Sequence, residues 1–212
     1  MDVNEHEVVG IIGPNGHGKS TLLKVACKLL TPMSGSIVYN GIDVTEARPY
    51  ELVEKGLVYI SESGNIFYEM TVIENLKLGA YKSWGKRDES IKQVFELFPK
   101  LKTLATRKAS TLSGGERRML AVGRGLMTTT KLMLIDEPSL GLAPLLVQQV
   151  YEKIRELHKR GLTLVISEQN IDFLSSIADR LDLVEKGRIV REGRTQEVLE
   201  DDHVKSAYLG IH

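Results

Sequence analysis

The sequence predicts an α/β protein with a mostly parallel sheet and an inserted helical block. Short β-branched apolar runs alternate with helix-period segments near both ends of the chain, which implies parallel strands joined by helices. Between Thr71 and Met127 the strand signals vanish and helical spacing takes over. The composition, 42% hydrophobic and 26% charged over 212 residues, is that of one ordinary globular domain. The expected division is a core from residues 1–66 and 128–212, with a helical subdomain from 67–127.

Val8–Ile12 is an apolar run suited to a strand buried on both faces. A glycine-rich loop follows from Gly13 to Gly18, then helical spacing at Leu22, Leu23, Ala26 and Leu30. Ser36–Tyr39 reads as a strand with Asn40-Gly41 as a turn, and Leu57–Ile60 as a second buried strand. Helices are expected over Val72–Ala80, Glu89–Phe98 and Glu116–Met127. Alternation then returns: Lys131–Asp136 (strand), Leu145–Lys159 (helix), Leu162–Ser167 (strand) and Ile171–Ala178 (helix). Leu181–Glu185 and Arg188–Glu192 flank Lys186-Gly187 as a hairpin, and Thr195–Leu209 reads as helix.

The 28 basic and 28 acidic residues balance, so the total charge asks for no nucleic acid. Their distribution is uneven. From Lys77 to Arg118 there are eleven Lys and Arg against four acids. That block reads as a solvated helical face or as a surface for an acidic partner or anionic lipid. No apolar run approaches the roughly 18–20 residues of a membrane span, and Met1–Glu5 does not read as a signal peptide. The single cysteine, Cys27, excludes an internal disulfide and is expected as a small buried hydrophobe.

Gly13-Pro14-Asn15-Gly16-His17-Gly18-Lys19-Ser20-Thr21 is a complete phosphate-binding loop, placed after a strand and opening a helix. Its glycines let successive N–H groups turn inward, and the helix start adds a positive dipole end. Lys19 can reach the β- and γ-phosphates, and the Ser20 hydroxyl can ligate Mg²⁺. His17 fills a variable loop position, with its side chain expected in solvent. Leu132–Ile135 delivers Asp136 and Glu137 to the carboxyl end of a strand. There Asp136 can hold a Mg²⁺ shell and Glu137 can deprotonate an attacking water. Thr111-Leu112-Ser113-Gly114-Gly115-Glu116 offers a second anion-binding helix start.

Phosphate loop, Leu-Ser-Gly-Gly-Glu and Asp-Glu-Pro-Ser, in this order, resemble the ATP-binding cassette (ABC) family over essentially Glu5–His212. The resemblance implies ATP and Mg²⁺ as cofactors. It also implies a site shared between two subunits, in which Ser113, Gly114, Gly115 and Glu116 of one cover the γ-phosphate held by the other. Ser139–Leu142 stands at the family's D-loop. Glu62 stands where most cassettes carry the Q-loop glutamine, which implies a metal or water role; capping of its own loop is the alternative. Gln169 stands at the switch position usually held by histidine; its amide can donate a hydrogen bond but cannot take a proton.

These departures, with Glu116 and the Asp136–Pro144 segment, are similar to the ATP-binding subunits of branched-chain or hydrophobic amino acid importers. Such a subunit implies a second cassette (homo- or heterodimer), two membrane-spanning permease subunits and, indirectly, a substrate-binding protein. Its place would be the cytoplasmic face of the membrane. Urea or amide uptake, lipopolysaccharide export, a soluble non-transport cassette and a binding module with a dead site are the alternatives. Intact Lys19, Asp136 and Glu137 argue against the last of these. Cassettes of this family usually begin with two further strands that carry an adenine-stacking aromatic residue. Here Glu7–Ile12 leads directly into the loop, so that platform is expected to be missing or to be supplied by another residue. Weak discrimination between ATP and GTP is therefore expected. Trp84 and Tyr81 fall in the helical block, where packing or partner contact is the expected role.

Overall fold

Strand β1 (Val8–Ile12) is buried along its whole length. Its alternation sends Val8 and Ile12 to one face of the sheet and Val9 and Ile11 to the other, each into its own apolar cluster. A computed structural model describes residues 1–205 of the chain. The elements after β1 are α1 (Lys19–Ala26), β2 (Val38–Tyr39), β3 (Ile42–Asp43), α2 (Pro49–Glu54) and β4 (Leu57–Ile60). The helical block supplies α3 (Val72–Gly79), α4 (Arg87–Leu97), α5 (Pro99–Thr103) and α6 (Gly114–Gly125). Then come β5 (Leu132–Asp136), α7 (Pro144–Lys159), β6 (Thr163–Ser167), α8 (Ile171–Ser175), β7 (Arg180–Glu185), β8 (Arg188–Arg194), α9 (Thr195–Glu200) and α10 (Asp202–Val204).

The six-stranded sheet runs β4-β5-β6-β1-β7-β8. All neighbours are parallel except the β7–β8 hairpin. Because β1, β4, β5 and β6 are parallel, the loops leaving them open at one edge of the sheet, the usual place for a ligand in an open α/β fold. The helical block does not form a separate core. Leu76, Val94, Leu101 and Leu120 join one apolar cluster with Val58, Met133 and Ile135 of the sheet.

Several expectations are corrected. Helix α1 ends at Ala26 rather than Leu30, because Lys28 adopts a left-handed φ of 62°. The Lys28 and Leu29 amides then bond back to the Val25 and Lys24 carbonyls, which closes the helix. The strand read at Ser36–Tyr39 is the two-residue β2. It pairs with β3 through the Asn40-Gly41 turn and stands apart from the main sheet. The C-terminal helix is broken at Asp201, whose backbone is extended and whose side chain caps α10. The rest of that expected helix, residues 206–209, lies outside the described residues. Cys27 is buried, as expected.

Candidate nucleotide site

The loop between β1 and α1 is shaped by close approach. A Cβ on Gly13 would lie 2.2 Å from the Val184 carbonyl oxygen, so only glycine lets the chain leave β1 here. Gly18, at φ 105°, begins α1 with no side-chain cap, which leaves first-turn amides free to face an anion. The far side of the loop is held by the β7–β8 turn, where the Gly187 amide donates to the His17 carbonyl at 2.9 Å. The His17 ring is half-buried rather than in solvent, and its Nδ1 is enclosed without a partner.

Lys19 is only 4% exposed, and its ammonium donates to the Gly13 carbonyl at 2.8 Å. The same ammonium lies 3.2 Å from Glu137 Oε1. Glu137 Oε2 accepts from the Gln169 amide at 3.2 Å, so Lys19 and Gln169 grip the two oxygens of one carboxylate. Asp136 is buried among hydroxyls: Oδ1 accepts from Ser20 (2.9 Å) and Ser167, and Oδ2 accepts from Tyr59 (2.9 Å). Burial, with the Asp136 charge beside it, pushes the Tyr59 phenol far above its ordinary range, which keeps it a donor.

Behind this layer, Glu168 is fully buried and its Oε1 accepts from the Ser139 hydroxyl of the expected D-loop. Burial pushes the Glu168 carboxyl up, and its Oε2 has no partner. The neighbouring phenol of Tyr151 is pushed up by burial and by Glu168.

The structure therefore brings together Lys19, Ser20, Asp136, Glu137 and Gln169. Glu62 sits just beyond the end of β4, exposed. Ser113–Glu116 form no hydrogen bond with the loop; their side-chain hydrogen bonds are local. Ser113 caps α6 by accepting from the Glu116 amide, and Glu116 Oε2 accepts from the Ser113 amide at 2.8 Å. The acid in this motif is thus the return half of a capping box. A Cβ on Gly114 would lie 3.0 Å from Leu142, which seats the motif against the expected D-loop.

Tyr59, Ser167 and Arg118 were not legible as site residues. Tyr59 had a signal in the strand alternation, which points it away from Val58 and Ile60. Arg118 sat in the basic block read as a solvated face, yet it is 7% exposed and bonded to the Ser61 and Glu137 carbonyls.

An ABC transporter family model matches residues 1–140. The high-affinity branched-chain amino acid transport ATP-binding protein BraG of Pseudomonas aeruginosa is 41% identical over 212 residues, covering 99% of this chain and 91% of its own. The probable branched-chain amino acid transport ATP-binding protein LivG of Methanocaldococcus jannaschii is 36% identical, with 99% and 89% covered. The lipopolysaccharide export system ATP-binding protein LptB of Haemophilus influenzae is 31% identical, with 99% and 88% covered. Among solved structures, the ADP conformation of MJ1267, an ATP-binding cassette of an ABC transporter, superposes with a TM-score of 0.85 at 33% identity, covering 100% of this chain and 91% of its own. With fold, loop and sequence in agreement, the chain belongs to the ABC transporter family as an ATP-binding cassette.

Proposed function

We propose that this cassette is the ATP-hydrolysing subunit of an importer for branched-chain or other hydrophobic amino acids, paired with a second cassette beneath two membrane-spanning subunits. The observation that carries the hydrolytic part is the grip of Lys19 and Gln169 on the Glu137 carboxylate, beside Ser20 and Asp136. Support for the transported class comes from relatives whose names state branched-chain amino acid transport, at 41% and 36% identity.

In this reading the loop amides of Gly13–Thr21 and the Lys19 ammonium bind the triphosphate. Glu137 takes the proton of the attacking water. Gln169 orients that carboxylate and can donate to a phosphate oxygen, but it does not carry the proton. The Ser20 hydroxyl and Asp136 carboxylate, 2.9 Å apart, suit a hard cation that takes its other ligands from water and phosphate. When bound, Mg²⁺ would neutralise charge on the phosphate oxygens. Glu62 would lie on the solvent side of this site, at the metal or its water. Ser113, Gly114 and Gly115 would close over the γ-phosphate of the paired subunit, with Glu116 holding the helix start in shape.

The helical subdomain, residues 67–127, would carry the docking surface. A groove of about 490 Å³ opens between β4 and this block, lined by Leu57, Phe67, Leu78, Tyr81 and Arg124. Phe67 and Tyr81 are about half exposed, and the Arg124 guanidinium lies 5.4 Å from the centre of the Phe67 ring, so the groove offers a mainly apolar surface with one cation to a partner helix. No helix among the described residues is long and apolar enough to cross a membrane.

The test is to isolate the chain with its native partners, identify them, and measure ATPase activity with and without amino-acid-loaded binding protein. Co-isolation of permease subunits and stimulation by leucine, isoleucine or valine support the reading. Co-isolation with lipopolysaccharide-export subunits overturns the substrate class and leaves the ATPase assignment standing.

A further inference from the structure

We infer that Arg118 is a positioning residue for hydrolysis: it fixes the backbone of Glu137 and ties it to helix α6, whose first turn carries the Ser113–Glu116 motif. The inference rests on the reading of Glu137 as the base.

Arg118 lies on α6, five residues beyond the cap Ser113, and its side chain is almost wholly buried. Nη2 donates to the Glu137 carbonyl at 3.0 Å, and Nη1 donates to the Ser61 carbonyl at 3.0 Å. The fork thus spans two main chains, the one that ends at Glu137 and the one that leads into Glu62. Burial works against the charge of this guanidinium, and the nearby carboxylates of Glu168, Glu62, Asp136 and Glu137 work for it. A buried cation directed at two carbonyls is an expensive way to fill space, so the arrangement calls for a role beyond packing.

The Glu137 backbone supplies that role. Glu137 adopts φ 47°, a left-handed conformation unfavourable for a residue with a side chain. Such conformations persist where the surroundings over-determine them. Here the Glu137 amide donates to the Ser167 carbonyl at 3.0 Å, and its carbonyl accepts from Arg118. The residue is pinned on one side by β6 and on the other by α6. The direction of its carboxylate toward Lys19 and Gln169 follows from that backbone. A shift of α6 would move the Glu137 carbonyl and the Ser61 carbonyl together, through a single side chain. Lysine cannot reproduce this, because a point-like ammonium does not span two carbonyls as a planar fork does.

The experiment compares Arg118→Gln and Arg118→Lys in the full chain, alone and in a Glu137→Gln background. Arg118→Gln should lower kcat by about tenfold or more and leave KM for ATP within about twofold, the pattern of a residue acting on the chemical step. Arg118→Lys should fall between Arg118→Gln and the parent. In the Glu137→Gln background, Arg118→Gln should change the residual rate by less than about twofold, since the base it positions is gone. A raised KM with unchanged kcat, or losses that multiply in the double variant, would overturn the inference. If Arg118→Gln does not fold, Arg118→Lys carries the test, and a parental kcat in that variant overturns it. Failure of the underlying reading is distinguishable: Glu137→Gln would then hydrolyse ATP at the parental rate whatever stands at 118.

Discussion

The Lys19 ammonium and the Glu137 carboxylate lie 3.2 Å apart with both side chains almost wholly buried, 4% and 7% exposed. A triphosphate in the loop would compete for Lys19 and release one oxygen of Glu137 toward the incoming water. The two residues proposed to bind and to cleave the substrate thus restrain each other until it arrives.

Removing one member of such a pair strands the other charge. Lys19→Met should lower the stability of the free chain by about 3 kcal/mol in urea unfolding. ATP should no longer raise its melting temperature, because the phosphate partner is lost with the charge. Parental stability together with parental ATP response would show that the pair has neither role.

The capping box at Ser113 predicts a graded response at Glu116. Glu116→Gln keeps an acceptor for the Ser113 amide and should leave stability within about 0.5 kcal/mol, whereas Glu116→Ala should cost about 1 kcal/mol. Equal effects of the two changes in chemical unfolding would mean that the return bond from Glu116 contributes nothing.

Asp182 offers a pH test away from the site. It is fully buried, and burial pushes its carboxyl from an ordinary 3.8 to about 6, although Arg180 at 2.9 Å works in the opposite direction. The folded chain holds this proton more tightly than the unfolded chain. Asp182 therefore burdens the fold above pH 6, and the burden fades as pH falls toward 4. Asp182→Asn keeps an acceptor for Arg180 and should be more stable than the parent by roughly 2–3 kcal/mol at pH 7.5, with the gain shrinking to nothing near pH 4. Comparing the two chains at each pH cancels other carboxylates. A difference that does not change with pH would contradict the assignment.

The places of the main strands along the chain and the phosphate loop were legible because short β-branched apolar runs and glycine spacing leave direct marks in the sequence. The helix end at Ala26 was not, because it depends on Lys28 taking a left-handed φ with nothing in its residue type to announce it. Strand β3 and helix α5 escaped because two and five residues are too short to show a period. Lys19, Asp136 and Glu137 were legible from local motifs, whereas Tyr59 and Ser167 reach Asp136 only through sheet register. Arg118 was hidden for the opposite reason: an arginine on a helix, beside another arginine, has the pattern of a solvated face.

The shared site predicts complementation between damaged chains. Lys19→Ala disables the phosphate loop, and Ser113→Arg blocks the covering motif, so each alone should be inactive. If the chain pairs with itself, a mixture forms some dimers with one intact composite site and should regain part of the parental activity. Activity of the parental chain that stays proportional to concentration down to strict monomer, read beside sedimentation, would contradict a shared site.

The central claim is that Glu137 takes the proton from water on an ATP held by Lys19, and the most direct measurement is single-turnover hydrolysis by Glu137→Gln. The amide keeps the shape and can still face Lys19 and Gln169, but it is no base. The account predicts a rate lower by about 10²-fold or more, with ATP bound as in the parent and retained in a persistent dimer. Hydrolysis by Glu137→Gln at the parental rate, with ATP bound normally, would contradict it.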